Sequence, residues 1–338
     1  MTTKIISRFL RRVCLAAIAV VGSLTLDSCS KLHEDLQPCP QGLMLRFIYD
    51  YNLEFGNAFP AQVHSLELLV YDENGNFVDS RIETSEVLAD ENWRMPVDLK
   101  PGKYLLKAWG GIVGNDASFH FTQDPKAVGM RDLRITMNSD CMTSPVGTRL
   151  NSLFFGELEI EVPEESMEYT EATVKMMKDT NNVRILLDNL SGKPLDGDDF
   201  IFSITDDNTL LNYDNSVITG HEYTYSPWVW GQESAGVLDD GSEALLAYAE
   251  LSTSRLMAGS KAKLMIQRKS DSKTICNIPL VNFLLLLKSQ EFQYMGSQEF
   301  LDRESRWNMV FFLDGSGSWI ETYIKINDWI VRINNTEF

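Results

Sequence analysis

The stretch GLMLRFIYDYN, residues 42–52, decides the fold. Leu43, Leu45, Phe47, Tyr49 and Tyr51 fall on one side of an extended chain, and Met44, Arg46, Ile48 and Asp50 on the other. A period of two belongs to a half-buried β-strand, because successive side chains of a strand point to opposite faces. The same alternation recurs in HSLELLVYD (64–72), where His64, Leu66, Leu68 and Val70 oppose Ser65, Glu67, Leu69 and Tyr71. DENGN (72–76) then turns the chain into FVDSRIE (77–83), a hairpin signal. YLLKAWGG (104–111), DLRITMNS (132–139) and LFFGELEIEV (153–162) extend the pattern to about seven strands.

Pro163 and the acids after it interrupt the apolar pattern and set the expected boundary, with a first sandwich over 41–165 and a second over 166–338. Strands resume in ATVKMMK (172–178), NNVRILLDNL (181–190), FIFSITD (200–206), ALLAYAEL (244–251), KAKLMIQRK (261–269) and TICNIPL (274–280). WNMVFFLD (307–314), the turn GSGS (315–318) and residues 319–334 close the chain as a hairpin with a final strand. Alternation fails between Asn282 and Glu304, where a short helix across a sheet end is expected. The predicted class is all-β, with two β-sandwiches in series.

The N-terminus reads as an address. Lys4, Arg8, Arg11 and Arg12 precede an apolar core at 13–26, and LDSC (26–29) follows. That core is short of the roughly 20 residues of a membrane span. A Leu three residues before a Cys is similar to a bacterial lipobox, which assigns 1–28 to a signal peptide, Cys29 to lipidation and 29–40 to a tether. Asp27 departs from the lipobox pattern, and an ordinary secretory signal with an incidental Cys is the alternative. Two or three acyl chains make a stable anchor where one does not.

The chain has 338 residues, 30 Lys and Arg against 48 Asp and Glu, and a net charge of −18. Loss of 1–28 removes four basic residues and one acid and leaves about −21. That balance excludes nucleic acid or an anionic lipid surface as the main partner, since both need a basic face. Of five cysteines, Cys14 leaves with the signal and Cys29 takes lipid. Cys39 and Cys141, near either end of the first sandwich, are the expected disulfide, and Cys276 reads as a buried thiol.

No HExxH, CxxC, phosphate loop or nucleophile elbow is present, so no cofactor, metal or catalytic residue is assigned. His33, His64, His120 and His221 lack partners at ligand spacing and read as structural. Asp72, Asn74, Asn76, Ser80 and Glu83 match oxygen positions of a calcium loop, but Phe77 occupies the position that requires Gly, and a hairpin turn explains the same residues. Trp228 and Trp230, after Tyr223 and Tyr225, mark a candidate ligand loop.

Cys-Pro-Gln-Gly-Leu (39–43), Tyr-Asp-Tyr-Asn (49–52), Ala-Phe (58–59), Asn-Asn-Val (181–183), Gln-Glu-Phe-Leu-Asp-Arg (298–303) and Ile-Asn-Asp-Trp (326–329) occur in this order behind the lipobox. Together they resemble the FimB-type fimbrial anchor subunits, lipoproteins at the base of type V pili. The resemblance implies two transthyretin-like β-sandwich domains, no catalysis, and acylation through the Cys at the outer membrane. It also implies a role in holding the fimbrial shaft to the cell and limiting its length. Glu34 and Asp35 are similar to the signal that sorts such lipoproteins to the outer surface. Independently of that resemblance, edge strands of a sandwich can accept a strand from a shaft pilin. The other reading is a surface lipoprotein adhesin that binds glycan or host protein through Trp228 and Trp230.

Overall fold

The computed structural model describes residues 41–144, 146–164, 168–238, 241–288, 292–320, 323–326 and 329–332. The signal peptide, Cys29, the tether and Cys39 lie outside the described residues.

The chain opens with β1 (Gly42–Ile48), a one-turn helix α1 (Phe59–Gln62), the hairpin β2 (Leu66–Asp72) and β3 (Phe77–Glu83), then β4 (Met95–Asp98) and β5 (Gly102–Gly110). β6 (Phe119–Phe121), β7 (Arg134–Met137), the short helix α2 (Ser139–Thr143), β8 (Phe154–Val162) and β9 (Thr170–Lys178) follow. β3-β2-β5-β8 forms one layer and β9-β1-β4 the other. As the alternation predicts, Leu43, Leu45 and Phe47 of β1, with Tyr49 just after it, face Leu66, Leu68, Val70, Leu106 and Phe154 in a common core.

β9 joins the two layers. Its first six residues pair in parallel with β1, and Met176, Met177 and Lys178 pair with Gly156, Phe155 and Phe154 of β8. A Cβ on Gly156 would meet Met176 Sδ at 2.6 Å and Lys175 O at 2.8 Å, so this crossing requires glycine. The expected boundary at residue 165 therefore falls between two strands of one sheet, and residues 170–178 complete the first sandwich.

The second sandwich starts at β10 (Asn181–Asn189) and continues through β11 (Phe200–Asp206), β12 (Leu210–Asn212), β13 (Tyr223–Tyr225), β14 (Val229–Val237) and β15 (Glu243–Thr253). β16 (Lys263–Arg268), β17 (Thr274–Pro279), helices α3 (Leu280–Lys288) and α4 (Ser297–Arg303), and β18 (Arg306–Leu313), β19 (Tyr323–Ile326) and β20 (Trp329–Arg332) complete it. Its layers are β14-β15-β10-β18-β19-β20 and β13-β11-β16-β17. First and last core strands again pair in parallel, β10 with β18, as β1 does with β9. Where one helix was expected there are two. α3 buries Leu280, Val281, Phe283, Leu284 and Leu287, and no described helix is long and apolar enough to cross a membrane.

The sandwiches are not beads on a string. β12 of the second pairs antiparallel with β7 of the first, Leu211 opposite Ile135. The outer face of β2-β5-β8, with Leu69, Tyr71, Trp109 and Phe155, belongs to the same apolar cluster as Val183, Phe202, Leu251 and Trp307 of the second sandwich. Lys107 on that face is buried, ion-paired with Glu157, and lies 5.3 Å from the ring centre of Tyr213, the residue after β12.

Candidate functional site

Between β9 and β10 the chain passes from one sandwich to the other through Asp179 and Thr180, both buried. Asn215, whose loop follows β12, donates its side-chain amide to Asp179 Oδ1 at 2.7 Å and adopts a positive φ of 64°. Arg255, just after β15, grips Asp302 of α4 with two parallel bonds, Nε to Oδ1 at 3.0 Å and Nη2 to Oδ2 at 2.8 Å. Its third nitrogen donates to the Asn215 carbonyl, and its Nε lies 3.9 Å from Asp179 Oδ1. Gln298 donates to Asp302 Oδ1 at 2.8 Å and accepts from the Ala258 N–H at 2.8 Å. Burial raises the Asp179 carboxyl to about 7, against the opposing pull of Arg255 and the Asn215 amide.

Beside this network lies a polar groove of about 650 Å³ lined by residues of both sandwiches, among them Tyr49, Asn52, Ala58, Lys178, Asn182 and Arg303. Burial, with Arg306 and Arg149 adding repulsion, lowers Lys178 to about 8, and its ammonium donates to Gln62 Oε1 at 3.2 Å. Arg303 stacks 4.0 Å over the Tyr51 ring. Residues 49–52, 58–59, 181–183 and 298–303 are far apart in the chain, yet each of these strings supplies a residue to this one groove.

Sheet edges are the second candidate. β4 is short and carries Pro96, β17 has a register shift and ends on Pro279, and β14 breaks register between Ser234 and Val237. Such features block the addition of a further strand. β3 also breaks register with β2, at Val78, yet beyond that shift it keeps five continuous pairs from Asp79 to Glu83. Among the described strands it pairs only with β2, and its outward face carries Val78 and Ile82, 42% and 56% exposed.

The remaining candidates fall as follows. The segment expected as a ligand loop is the start of an edge strand, because Trp228 N–H bonds Glu250 O at 3.0 Å and Val229 pairs with Glu250. Trp228 lies under the Arg149 guanidinium, while Trp230 is 38% exposed and donates its indole N–H to Asp198 Oδ1 at 2.8 Å. Cys141 is half-buried on α2; its expected partner Cys39 lies outside the described residues. Cys276 is buried in the second core. The Asp72 carboxylate accepts the Asn76 side-chain amide at 2.9 Å and the N–H groups of Asn76 and Asn74 at 2.8 and 2.9 Å, which holds it below the usual carboxylate range and spends it on the hairpin turn. Among the described residues no group of three or more His, Cys, Asp or Glu side chains could hold a metal ion.

Comparison with known proteins follows this architecture along its length. The family model described as fimbrillin-A associated anchor proteins Mfa1 and Mfa2 matches residues 36–335. The minor fimbrium anchoring subunit Mfa2 of Porphyromonas gingivalis is 22% identical over 94% of this chain and 93% of its own. The solved fimbrial anchor protein Mfa2 from that organism shares the fold, with a TM-score of 0.63 at 17% identity over 87% of this chain and 99% of its own. A Bacteroides thetaiotaomicron crystal structure, provisionally classed as an adhesin, is 52% identical with a TM-score of 0.84, covering 89% of this chain and all of that one. A second from that organism, provisionally classed as polysaccharide-binding, is 28% identical with a TM-score of 0.74, over 87% of this chain and 98% of its own.

Proposed function

Since the chain belongs to the family of fimbrillin-A associated anchor proteins Mfa1 and Mfa2, we propose that it is an outer-membrane lipoprotein that anchors a fimbrium to the cell and limits the fimbrium's length. The observation that carries this reading is the likeness to an anchoring subunit along both sandwiches, end to end. Acylated Cys29 holds the protein to the membrane, and the residues after it act as the tether. The joined sandwiches form a short post, and the first shaft pilin attaches to it. A structural role of this kind needs no catalytic residue.

The pilin attaches by adding a strand to β3. Main-chain bonds to an open edge supply affinity, and alternate side chains set the register. Val78 and Ile82 supply apolar contacts on the outward face, and Asp79–Glu83, beyond the register shift at Val78, keep regular pairing with β2. The test is co-purification of pilin from cells that assemble fimbriae. Val78→Lys with Ile82→Lys places two charges on the edge and is expected to cut pilin recovery about tenfold or more, with the anchor still in the membrane. Undiminished recovery would exclude β3 as the acceptor. No pilin recovered with the unmodified protein would exclude the anchor reading itself.

A surface adhesin is the second reading. Exposed Trp230 and the relative provisionally classed as polysaccharide-binding favour it.

A further inference from the structure

Where β13 ends, the sandwich has a gap. The Lys269 N–H donates to the Asp199 carbonyl at 2.8 Å, which sets the phase of the β11–β16 ladder. In an antiparallel ladder alternate residues bond to alternate sides. Ile201, Ser203 and Thr205 therefore bond to β16, and Phe200, Phe202 and Ile204 turn their main-chain groups to the other side. There β13 meets Ile204 and Asp206, pairing Tyr225 with the one and Tyr223 with the other, and then departs through Ser226 and Pro227. The Phe200 N–H closes the short turn before β11 by donating to the Gly197 carbonyl, so the Phe200 C=O and the N–H and C=O of Phe202 are the main-chain groups here to which no described residue bonds.

These groups open into a cavity of about 230 Å³ lined by Val146, Ile201, Ser226, Pro227, Trp230 and Lys269 along with the two phenylalanines. Trp230 is held at its rim by the bond to Asp198, so its N–H is occupied and its remaining contribution is the ring surface. No aromatic or cationic side chain among the described residues stacks on that ring. Lys269 is exposed beside it and forms no ion pair within the described chain. One unpaired main-chain donor and two acceptors, a polar side chain and an aromatic surface at one small opening are complementary to a sugar ring, whose C–H face is apolar and whose edge is all hydroxyl. The volume is below the roughly 300–1,000 Å³ of drug-sized ligand sites, and the gap on β11 spans only four residues, which suits a single ring better than an added strand.

We infer that this cavity is a glycan-binding subsite that takes one pyranose residue, with Trp230 against the ring face and the Phe200 and Phe202 main chain on the hydroxyls. This inference deepens the adhesin reading given above, on which it rests, and it is separate from the β3 edge and independent of the anchor role. The probes are methyl α- and β-glycosides of glucose, galactose and mannose and N-acetylglucosamine, offered to the full chain in detergent and read by saturation-transfer NMR. At least one is expected to receive saturation at its ring protons. Trp230→Ala is expected to lower that signal about tenfold, and Trp230→Phe, which keeps a ring, to retain part of it. Unchanged melting of both variants would separate a lost contact from a lost fold. No transfer to any probe, transfer insensitive to Trp230→Ala, or protection of Trp230 by an extended peptide but by no sugar would each overturn the proposal.

Discussion

Arg255→Leu is expected to destabilise the protein by about 3–5 kcal/mol, a large share of the roughly 5–15 kcal/mol that holds most domains together. The guanidinium makes two bonds to Asp302 and one to Asn215, and it is nearly buried. Removing it leaves the Asp302 carboxylate buried and short of its cation, and it releases the Asn215 loop that carries β12. The cost falls on the junction, where the two sandwiches share an apolar cluster, so both should melt together at a lower temperature. A chemical-denaturation midpoint checks the size of the loss. Arg255→Leu combined with Asp302→Leu should recover much of it, because replacing both members of a buried pair by apolar groups is often nearly neutral. If the double variant were as unstable as the sum of the two single variants, packing rather than the unpaired charge would be the cause.

The second large effect is one of pH. Asp179 titrates near 3.8 when exposed, and burial lifts it to about 7 in the folded protein. Between those values the unfolded chain has lost the proton and the folded one keeps it. Its contribution is therefore most favourable below about pH 4, declines as pH rises, and is fully lost above about pH 7. The groups facing it are Arg255, which opposes the shift, Asn215, which bonds Oδ1, and Asp302, which adds to the shift; Tyr49 is also within electrostatic reach. Asp179 Oδ2 has no hydrogen-bond partner, so nothing else compensates the charge. Asp179→Asn should be more stable than the parent at pH 8 and lose that advantage by pH 4. Melting curves at both pH values would show it, and a difference that did not change with pH would contradict the assignment.

Much of the fold was legible in the sequence because long strands declare themselves. β1, β10 and β18 alternate over seven to nine residues, and each buries the face that the alternation selects. β6 and β12 have three residues each, too few for a period to register. β14 escaped for another reason. It is an edge strand whose side chains are mostly exposed, so VWGQESAGV has no inward face to reveal it. Pro163 and its acids read as a boundary because they break an apolar pattern. The break is real, but β9 beyond it pairs in parallel with β1, and parallel pairing across more than a hundred residues leaves no local mark.

The junction network was illegible for the same reason. Asp179, Asn215, Arg255 and Asp302 are separated by 36, 40 and 47 residues along the hydrogen bonds that join them, and no spacing rule connects them. Only the strings at 181–183 and 298–303 hinted at the place, through Asn181, which accepts the Trp307 indole N–H at 3.0 Å, and through Asp302 itself.

The central claim is that a lipid at Cys29 ties a fimbrium to the cell through this protein. Replacing Cys29 by Ala and comparing the mutant with wild type by intact mass, membrane fractionation and fimbriae shed into the medium tests it most directly. The account predicts an acylated wild-type protein in the outer membrane and a mutant that releases both itself and its fimbriae. A mutant that stayed in the membrane with fimbriae still attached would contradict the account.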